Sequence, residues 1–447
     1  MEALERFLNK FIGPIAQKMN NSKFFSALAE AFMRTTPITL GIALLMIIGN
    51  FPISAWIDFL AKTGMNVHFN AALGATINLL SVYVTFNFAY IYSKKEGHDP
   101  LPAGLLAIGS FFLLMPQTIQ TYTLEKTVTE FPAQVVVSAS NNVEAFASNY
   151  TGGSGLFVAI MVGYFTAILY SFFIRKNLII KMPDTVPSNV SESLSPAILS
   201  GIILALFFIV RVLFSFTPFG NIFEFITTLI QTPLQALTGS PIAIILIYTL
   251  ANTLWFFGIH PNMVYGVVMP VMTANLLANM TAYQQHRELP YLTMAIVAFV
   301  CGNAFGGQGS TYGLVISMFT AKSERYKQLF KLAGPPVIFN VNEPLIFGMP
   351  LMLNPFFFIP MIASPLLMGS VAWGLLSILD FSKYNPLIAL PWTTPAPIVM
   401  ALKGGFNYLI IFFIVLCINI LIWYPFFKMA DRKEYELEQE IAQELTK

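Results

Sequence analysis

The stretch 332–355, LAGPPVIFNVNEPLIFGMPLMLNP, decides the fold, because its prolines and its carboxylate are not typical of a plain membrane-spanning helix. It carries a single carboxylate, Glu343, directly after Asn342 in otherwise apolar sequence. Two adjacent prolines, Pro335 and Pro336, remove backbone donors and predict a break in the helix ahead of the acid. Irregular backbone at membrane depth persists only where protein buries it or water reaches it, and an intramembrane carboxylate is a functional group by default. We therefore predict a re-entrant hairpin whose tip presents Glu343 and its asparagine neighbours to a polar cavity.

The composition of the whole chain places it in a membrane. Of its 447 residues, 56% are hydrophobic and 10% are charged, and the mean hydropathy is +0.68. Such a chain is not an ordinary soluble globule but a polytopic membrane protein with spans of roughly 20 apolar residues. The net charge of +2 gives no indication of nucleic-acid binding. Cys301 and Cys417 lie in apolar stretches and predict neither a disulfide framework nor a redox motif.

Ten apolar segments predict ten transmembrane helices. The Lys and Arg residues that flank the first four segments cluster at the ends predicted to be cytoplasmic, so the orientation of these segments alternates. The sequence between Arg211 and Arg287 contains neither residue type. A polar loop, 116–150, follows the third segment, and its run AQVVVSAS (133–140) predicts a short strand. The ten segments are about 32–53, 71–92, 101–115, 152–175, 197–216, 240–257, 263–280, 291–319, 356–379 and 408–427.

The remaining segments predict an all-α membrane protein in two halves. Residues 1–31 are predicted to be an amphipathic segment at the cytoplasmic interface, and 221–238 shows apolar residues at helical spacing, which predicts a second interfacial helix. The proline-broken stretch PLIALPWTTPAPIVMALK (386–403) predicts a second re-entrant hairpin, entering from the opposite face. Discontinuous segments that converge near the bilayer midplane are typical of a transporter binding site. We predict a scaffold and dimerisation half, a connecting helix, a transport half and a cytoplasmic tail at 1–217, 218–239, 240–428 and 429–447.

Three motifs carry a resemblance to a known family. The motifs NVNEPLIFGMPLMLNP (340–355), WFFGIHPNM (255–263) and GNAFGGQGST (302–311) resemble the membrane-embedded IIC component of the bacterial phosphotransferase system, in its lactose/cellobiose/diacetylchitobiose branch. The resemblance covers essentially the whole chain. It implies a homodimer in the bacterial cell (inner) membrane, each subunit multi-pass with both termini cytoplasmic.

The resemblance also implies a substrate and a reaction. The substrate is a β-linked disaccharide of the cellobiose or N,N'-diacetylchitobiose type, which the protein binds, translocates inward and presents by its 6-hydroxyl. The phosphoryl donor is the phosphocysteine of a separate soluble IIB protein, with IIA upstream, because both cysteines of this chain lie in apolar segments. No metal and no other cofactor is expected.

The family's acid and histidine correspond to Glu343 and His260, which the resemblance makes the catalytic pair. A carboxylate within hydrogen-bond reach of the 6-hydroxyl takes its proton as the bond to phosphorus forms, and we expect Glu343 to be half-buried. His260 would donate to the same hydroxyl or to the incoming phosphate. The alternatives are an acid that caps a hairpin turn and a histidine that hydrogen-bonds a helix break.

Seven further residues are predicted to bind the sugar. The glycine-rich loop leaves backbone amides free, although tight helix packing through small residues explains it as well. An indole offers a flat platform to a sugar ring, with interfacial anchoring as the alternative, and the asparagines either bind hydroxyls or satisfy broken backbone. Arg211 is expected to be structural. The seven residues are Asn252, Asn303, Gly307, Gln308, Asn342, Trp392 and Thr393.

A different class of function is compatible with the same residues. In a secondary sugar transporter driven by an ion gradient, Glu343 would bind a proton or a cation. The sequence does not rank cellobiose, diacetylchitobiose and lactose as substrates.

Overall fold

The computed structural model describes residues 22–51, 53–124, 137–178, 194–258, 261–349 and 354–445, together with residues 180, 187, 351 and 352. The described chain is mainly α-helical, as the apolar segments predict, with short 3₁₀ turns at Ile77–Leu79 and Gly153–Gly155. The N-terminal part of the predicted interfacial segment 1–31, namely residues 1–21, lies outside the described residues. The helices in chain order are α1 Lys23–Met33, α2 Thr36–Gly49, α3 Ser54–Thr63, α4 Met65–Gly74, α5 Leu80–Lys95, α6 Pro100–Leu114, α7 Ser148–Thr151, α8 Leu156–Arg175, α9 Ala197–Ser215, α10 Ile222–Gly239, α11 Pro241–Phe256, α12 Asn262–Gln284, α13 Leu292–Cys301, α14 Tyr312–Met318, α15 Glu324–Ile338, α16 Glu343–Gly348, α17 Pro355–Leu375 and α18 Ala396–Leu445.

Two strands interrupt the helical pattern. β1 (Thr118–Leu124) pairs with β2 (Val137–Glu144) in an antiparallel hairpin, with Thr118 opposite Glu144. The strand predicted at 133–140 is confirmed over 137–140, and residues 133–136 lie outside the described residues.

Several helices are long and apolar enough to cross a membrane. Within the described residues there are six such helices, or eight if each of two bent helix pairs counts as one span. One bent pair joins α10 to α11 at an angle of 82°. The ten predicted spans and the two re-entrant hairpins stay predictions. The six helices are Met65–Lys95, Gly153–Arg175, Ala197–Ser215, Val264–Gln284, Phe356–Leu375 and Ala396–Glu444.

The chain divides into two compact units, and the smaller unit contains residues 27–36 and 73–233. Helices α5, α6, α8 and α9 pack there around a core that includes Phe111, Ala159 and Ile203. The Arg211 guanidinium donates from Nη1 to the carbonyl oxygens of Leu113 at 2.6 Å and Met115 at 2.8 Å. Arg211 therefore satisfies the C-terminal end of α6, which is the structural role that the sequence predicts.

Helix α10 turns its polar side chains toward the protein. Glu224 accepts a hydrogen bond from the Tyr150 hydroxyl at 2.7 Å, and the buried Gln231 amide donates to the Gly153 carbonyl at 3.3 Å. On the other face Leu229 is 53% exposed. An exposed apolar face is what a helix in contact with lipid needs, so the amphipathic pattern is confirmed. The division between the units falls inside α10, between residues 233 and 234.

The larger unit contains residues 22–26, 37–72 and 234–445. Helices α14, α17 and α18 pack there, with Phe357, Tyr408 and Trp423 fully buried. Residues 37–72 group with the C-terminal part of the chain in this unit, and the predicted division into halves stays a prediction. A hydrogen bond of 3.2 Å from Asn385 Nδ2 to Asn50 Oδ1 contributes to this grouping, which the sequence around either residue does not indicate.

The two prolines of the opening stretch do not break the helix where the sequence predicts. Helix α15 continues through Pro335 and Pro336 to Ile338. It then ends in a Schellman motif: Asn340 takes φ = 65°, its N–H donates to the Val337 carbonyl at 2.8 Å, and the Val341 N–H donates to Pro336 at 3.1 Å. The prolines remove the N–H groups that would pair with the carbonyls of Lys331 and Leu332, two exposed residues, and α15 ends two residues after Pro336.

Helix α18 is interrupted near the point where the sequence separates two of its segments. Its first part begins at Ala396 and ends at Gly405 (φ = 61°, ψ = −147°), where the backbone is not helical, and the last predicted span and the tail form the helix beyond it. This conformation lies in a region that is essentially restricted to glycine. Gly405 lies between the predicted end of the second hairpin at 403 and the predicted start of the last span at 408, so the break predicted between them is found.

Candidate functional site

Three non-helical segments of the larger unit meet in its interior: loop 302–311 between α13 and α14, the link 339–342 between α15 and α16, and residues 385–395 ahead of α18. The loop turns through left-handed conformations at Gly306, Gly307, Gly309 and Ser310, with φ of 88°, 82°, 94° and 55°. Such backbone exposes N–H and C=O groups that no helix pairs, so side chains must satisfy them. The site is built from the side chains that do so.

Asn340 bonds all three segments. Its Oδ1 accepts the Gly306 N–H at 3.1 Å and the Tyr312 hydroxyl at 3.3 Å. Its Nδ2 donates to the carbonyl oxygens of Trp392 at 2.8 Å and Thr394 at 3.2 Å. The αL conformation that ends α15 therefore also aims this amide at the loop and at the second predicted hairpin.

A second chain of hydrogen bonds runs through the predicted binding residues. Asn342 Nδ2 donates to the Gln308 carbonyl at 2.8 Å, and the Gln308 side-chain amide donates to Asn252 Oδ1. Gln308 Oε1 accepts the Tyr265 hydroxyl at 2.9 Å, and Asn252 Nδ2 donates to the Met361 carbonyl at 3.1 Å. Asn252, Gln308 and Asn342 are all buried and engaged within the protein, so in this structure they satisfy broken backbone and one another.

Gly307 is required by the closeness of these segments. A Cβ at this position would lie 2.5 Å from Asn342 Cγ and 2.7 Å from the Asn340 carbonyl oxygen. The positive φ of 82° excludes ordinary side chains independently. Glycine at 307 thus permits loop 302–311 to lie directly against the link 339–342.

The far end of the loop is held from α18. Asn419 Nδ2 and the Trp423 indole N–H both donate to the Ser310 carbonyl, at 2.9 and 3.0 Å. Asn419 Oδ1 accepts the Gly313 N–H at 2.6 Å. The loop is therefore fixed at both ends, which makes it a rigid wall rather than a mobile lid.

Glu343 is exposed, and this corrects the expectation of a half-buried acid. It is the first residue of α16, whose opening N–H groups at Leu345 and Ile346 donate to the Asn342 carbonyl at 3.0 and 2.9 Å. A carboxylate is favoured at a helix N-terminus, and Pro344 is tolerated in the first turn because that N–H has no helical partner. The sequence around Glu343 is apolar, but the short helix turns the acid away from the core.

The remaining predicted site residues are Trp392, Thr393, Asn303 and His260. Trp392 and Thr393 are the central residues of a turn closed by the Thr394 N–H and the Pro391 carbonyl at 2.8 Å, and the Trp392 side chain is 63% exposed. Asn303 is exposed, and its carbonyl accepts the Gly307 N–H at 2.9 Å. His260 lies outside the described residues.

Several residues of the network were not among the predicted binding residues, among them Asn340, Tyr265 and Asn419. A signal for Asn340 exists in the sequence, because asparagine commonly ends a helix in the αL conformation. Tyr265 and Asn419 carry no such local signal, since they reach the loop from 43 and 109 residues away.

The exposed side chains at the three non-helical segments include Glu343, Asn303 and Trp392, because the buried amides are engaged within the protein. A carboxylate, an amide and a flat apolar ring together offer acceptors, donors and a stacking face, which complement a sugar. Within the part of the chain that the structure describes, no three His, Cys, Asp or Glu residues are grouped to hold a metal ion.

Comparisons with known proteins agree over almost the whole chain. A family model described as "Phosphotransferase system, EIIC" matches residues 29–365. The galactose-specific EIIC component of the PTS system of Lactococcus lactis subsp. cremoris (strain MG1363) is 52% identical over 446 residues, covering 100% of this chain and 99% of that protein. The lichenan permease IIC component of Bacillus subtilis (strain 168) is 31% identical, covering 99% and 96%. The crystal structure of the transporter ChbC, the IIC component from the N,N'-diacetylchitobiose-specific phosphotransferase system, superposes with a TM-score of 0.89 at 29% identity, covering 97% of this chain and 99% of that one.

Proposed function

Because this chain belongs to the phosphotransferase-system EIIC family and is a multi-pass sugar permease of that system, we propose that it presents a sugar 6-hydroxyl to the phosphocysteine of a separate IIB protein. IIA, upstream, supplies the phosphoryl group to IIB. The observation that carries this proposal is the exposed Glu343 at the start of α16, one residue beyond the buried Asn342 network. A carboxylate held beside a hydroxyl-binding wall is what transfer to a sugar alcohol requires.

The proposed substrate is a β-linked disaccharide. The motifs resemble those of carriers of cellobiose and N,N'-diacetylchitobiose. The galactose-specific relative is 52% identical to this chain, whereas the lichenan relative is 31% identical. Lactose agrees with both the motifs and the galactose-specific relative, because it is a β-linked disaccharide and ends in galactose. Galactose itself is the second candidate, favoured by that identity. A binding panel of lactose, galactose, cellobiose and N,N'-diacetylchitobiose on the purified protein tests the ranking.

Glu343 acts as the general base in this proposal. It takes the proton of the 6-hydroxyl as the new oxygen–phosphorus bond forms and the sulfur–phosphorus bond of the IIB phosphocysteine breaks. Exchange of Glu343 for Gln keeps the volume and most sugar contacts but removes the base. We expect sugar binding to persist while phosphorylation falls by roughly a hundredfold or more, the usual scale for loss of a general base.

The control for that experiment is Glu436→Gln, an exposed acid of α18 outside the site. Equal phosphorylation by Glu343→Gln and wild-type protein, with phosphorylated IIB present, would overturn the assignment of the base. His260 is proposed to donate a hydrogen bond to the same hydroxyl or to the phosphate, and we expect His260→Ala to lower the rate of phosphorylation.

The energy source separates this proposal from an ion-driven secondary transporter. Accumulation of sugar in vesicles should require phosphorylated IIB and be indifferent to an imposed pH or sodium gradient. Concentrative uptake of unmodified sugar driven by either gradient would assign Glu343 to cation binding instead.

We also propose how the protein moves. The protein would be a homodimer of ten-span subunits with both termini cytoplasmic. In each subunit residues 1–217 would form the static scaffold, and residues 240–428 would slide together with their two hairpins. Residues 218–239 would connect the two parts, and the tail would be 429–447. Residues 37–72 are an exception to the first range: because they group with 234–445, this segment would move with the transport half and not with the scaffold. A rigid unit that satisfies its own broken backbone avoids exposure of unpaired amides to lipid, at several kcal/mol each.

Cross-linking tests the movement. In a variant with Cys301 and Cys417 replaced by Ala, one cysteine is placed in 73–233 and one in 241–428 and joined by a bifunctional thiol reagent. We expect transport to stop while sugar binding continues. Undiminished transport through the cross-linked protein would mean that the two units do not move past each other.

A further inference from the structure

The C-terminal part of α18 holds the start of α15 through a buried carboxylate. Asp431 Oδ1 accepts the N–H groups of Lys322 and Ser323, both at 3.0 Å, and Oδ2 accepts that of Lys322 at 2.9 Å. Asp431 is only 1% exposed. A carboxylate at this depth must be satisfied by donors, so the contact is a built element of the fold and not a passing surface pair.

Glu438, two turns further along α18, binds the next part of the same segment. Its Oε2 accepts the Glu324 N–H at 3.0 Å, and its Oε1 accepts the Arg325 N–H at 3.0 Å and the Ser323 hydroxyl at 2.8 Å. The first N–H groups of a helix have no partner within the helix, and here α18 supplies the partners of α15.

A third acid, Glu434, lies between these two on the same face of α18, because spacings of three and four residues return to one side of a helix. Glu434 Oε1 is 3.0 Å from Arg325 Nη1. We call Asp431, Glu434 and Glu438 the α18 clamp. The opposite face carries Arg432 and Glu436, which pair at 2.8 Å with their side chains 82% and 58% exposed.

The clamp is connected to Glu343 through α15. Arg325, which Glu434 holds, directs Nη2 toward the carbonyl oxygen of Gly348 at 3.5 Å, and Gly348 is the last residue of α16. Leu329 packs so closely on Gly348 that an added Cβ would lie 2.3 Å from Leu329 Cδ1. A helix of six residues has little stability of its own, so its neighbours set its direction. Glu343 stands at the other end of that helix.

We propose that the α18 clamp is a positioning element for Glu343: it fixes the start of α15, and through Arg325 and Leu329 it fixes the direction of α16. The inference rests on the proposed role of Glu343 as the base. It predicts that loss of the clamp lowers the rate of phosphorylation and leaves sugar affinity unchanged, because the buried amide network is held separately by Asn340 and Asn419. Misplacement of a reacting group by about 1 Å is enough to cost up to about a hundredfold in rate.

The experiment compares Glu438→Ala with Glu438→Gln and with the matched control Glu436→Ala on the exposed face of the same helix. Hydrogen exchange of residues 343–348 is measured without sugar, and then [14C]lactose binding and phosphorylation by phosphorylated IIB. For Glu438→Ala we expect faster exchange in 343–348, a rate lowered by about tenfold and lactose affinity changed by less than about twofold. Glu438→Gln, which keeps an acceptor oxygen, should recover most of the rate, and Glu436→Ala should match wild type.

Two results would overturn the inference: unchanged exchange in 343–348 for Glu438→Ala, or equal losses of affinity and rate. If Glu438→Ala does not fold, Arg325→Lys replaces it, because lysine keeps the charge but cannot reach Glu434 and Gly348 together. Failure of the proposed function is recognised separately, since wild-type protein would then show no phosphorylation of any sugar in the panel while hydrogen exchange still reports on the clamp.

Discussion

Helices α8 and α15 end in the same way but in different surroundings. Asn177 ends α8 with φ = 55°, its N–H bonded to Ile174 at 2.9 Å and the next N–H bonded to Phe173 at 3.0 Å, which is the Schellman pattern of Asn340. Asn177 is exposed, whereas Asn340 is buried and its amide bonds the other two non-helical segments of the site. The same local signal thus ends one helix and builds a site at the other, and what differs is the broken backbone that surrounds Asn340.

The two units also differ in the side chains that satisfy their irregular backbone. In the smaller unit the irregular backbone near Gly152 is met by two hydroxyls and one amide: Ser81 donates to the Gly152 carbonyl at 2.5 Å, Thr151 to the Asn78 carbonyl at 2.7 Å, and Gln231 to the Gly153 carbonyl at 3.3 Å. In the larger unit amide side chains cross between three broken segments, and one amide often bonds two partners. Hydroxyls repair a single break, but amides also fix the relative positions of several segments, which a binding site needs.

The largest loss of stability is expected from substitution of Gly307, where two backbone segments touch. Gly97 has the same φ of 82°, but open space surrounds its missing Cβ. Gly97→Ala should cost about 1–2 kcal/mol for the left-handed conformation alone. Gly307→Ala adds a collision with Asn342 and Asn340, and we expect a total of about 2–5 kcal/mol with loss of sugar binding. Thermal unfolding in detergent measures both, and equal costs would contradict the close approach of the two segments.

A smaller effect is expected from Asn340→Gly, which keeps the αL backbone and removes the amide. The Trp392 and Thr394 carbonyls and the Gly306 N–H would lose their partner, and we expect a destabilisation of about 2–4 kcal/mol together with weaker sugar binding. Asn177→Gly is the matched change and should remain within about 0.5 kcal/mol of wild type. If the two variants unfold alike, burial is not what distinguishes the two helix ends.

Substitution of Arg211 tests whether the smaller unit contributes to the sugar site or only to stability. Arg211→Met removes the donor to the Leu113 and Met115 carbonyls, and we expect a loss of about 1–2 kcal/mol with no change in sugar affinity. Arg175→Met is the control, because Arg175 pairs with Glu96 at 2.9 Å with a side chain 54% exposed, a pair worth at most about 0.5 kcal/mol. A fall in sugar affinity for Arg211→Met would show that the smaller unit contributes to the site.

The smallest effect concerns pH at the α18 clamp. Partial desolvation of Glu438 acts to raise its pKa, but the N–H groups of Arg325 and Glu324, with the Ser323 hydroxyl and the charge of Lys327, outweigh it and hold the pKa below the ordinary value. A lowered carboxyl pKa means that the contact is complete at neutral pH, begins to weaken below the ordinary glutamate pKa of about 4.3, and is lost as the pH falls through the lowered value. We expect an effect of less than about 1 kcal/mol, because the group is near the surface.

A nitroxide on Gln439→Cys, with Cys417 replaced by Ser, follows that change as increased mobility below about pH 4. The same label in Glu438→Gln should be mobile to a similar degree at every pH. A label whose mobility in the wild-type background does not change between pH 7 and pH 3 would contradict the titration.

Composition, charge and the placement of proline and glycine predict the class of fold, most helix positions and the three broken segments. Local sequence does not predict which way a short helix points, and so the exposure of Glu343 differs from expectation. It also does not predict the exact residue at which a helix ends: α15 continues through Pro335 and Pro336 and ends at Ile338. Residues such as Tyr265 and Asn419 acquire their roles from contacts with a distant loop, which no window of sequence contains.

The hydrogen bond between Asn50 and Asn385 has a consequence for synthesis. These residues are 335 positions apart, so the packing of 37–72 within the larger unit must wait until residue 385 has left the ribosome. At about 5–20 residues per second that interval is about 20–70 s. In the later part of that interval, after residue 233, the smaller unit is complete and can assemble in the bilayer while residues 37–72 still lack their partner at residue 385. This segment is therefore the part of the nascent chain most in need of a chaperone or of the insertion machinery.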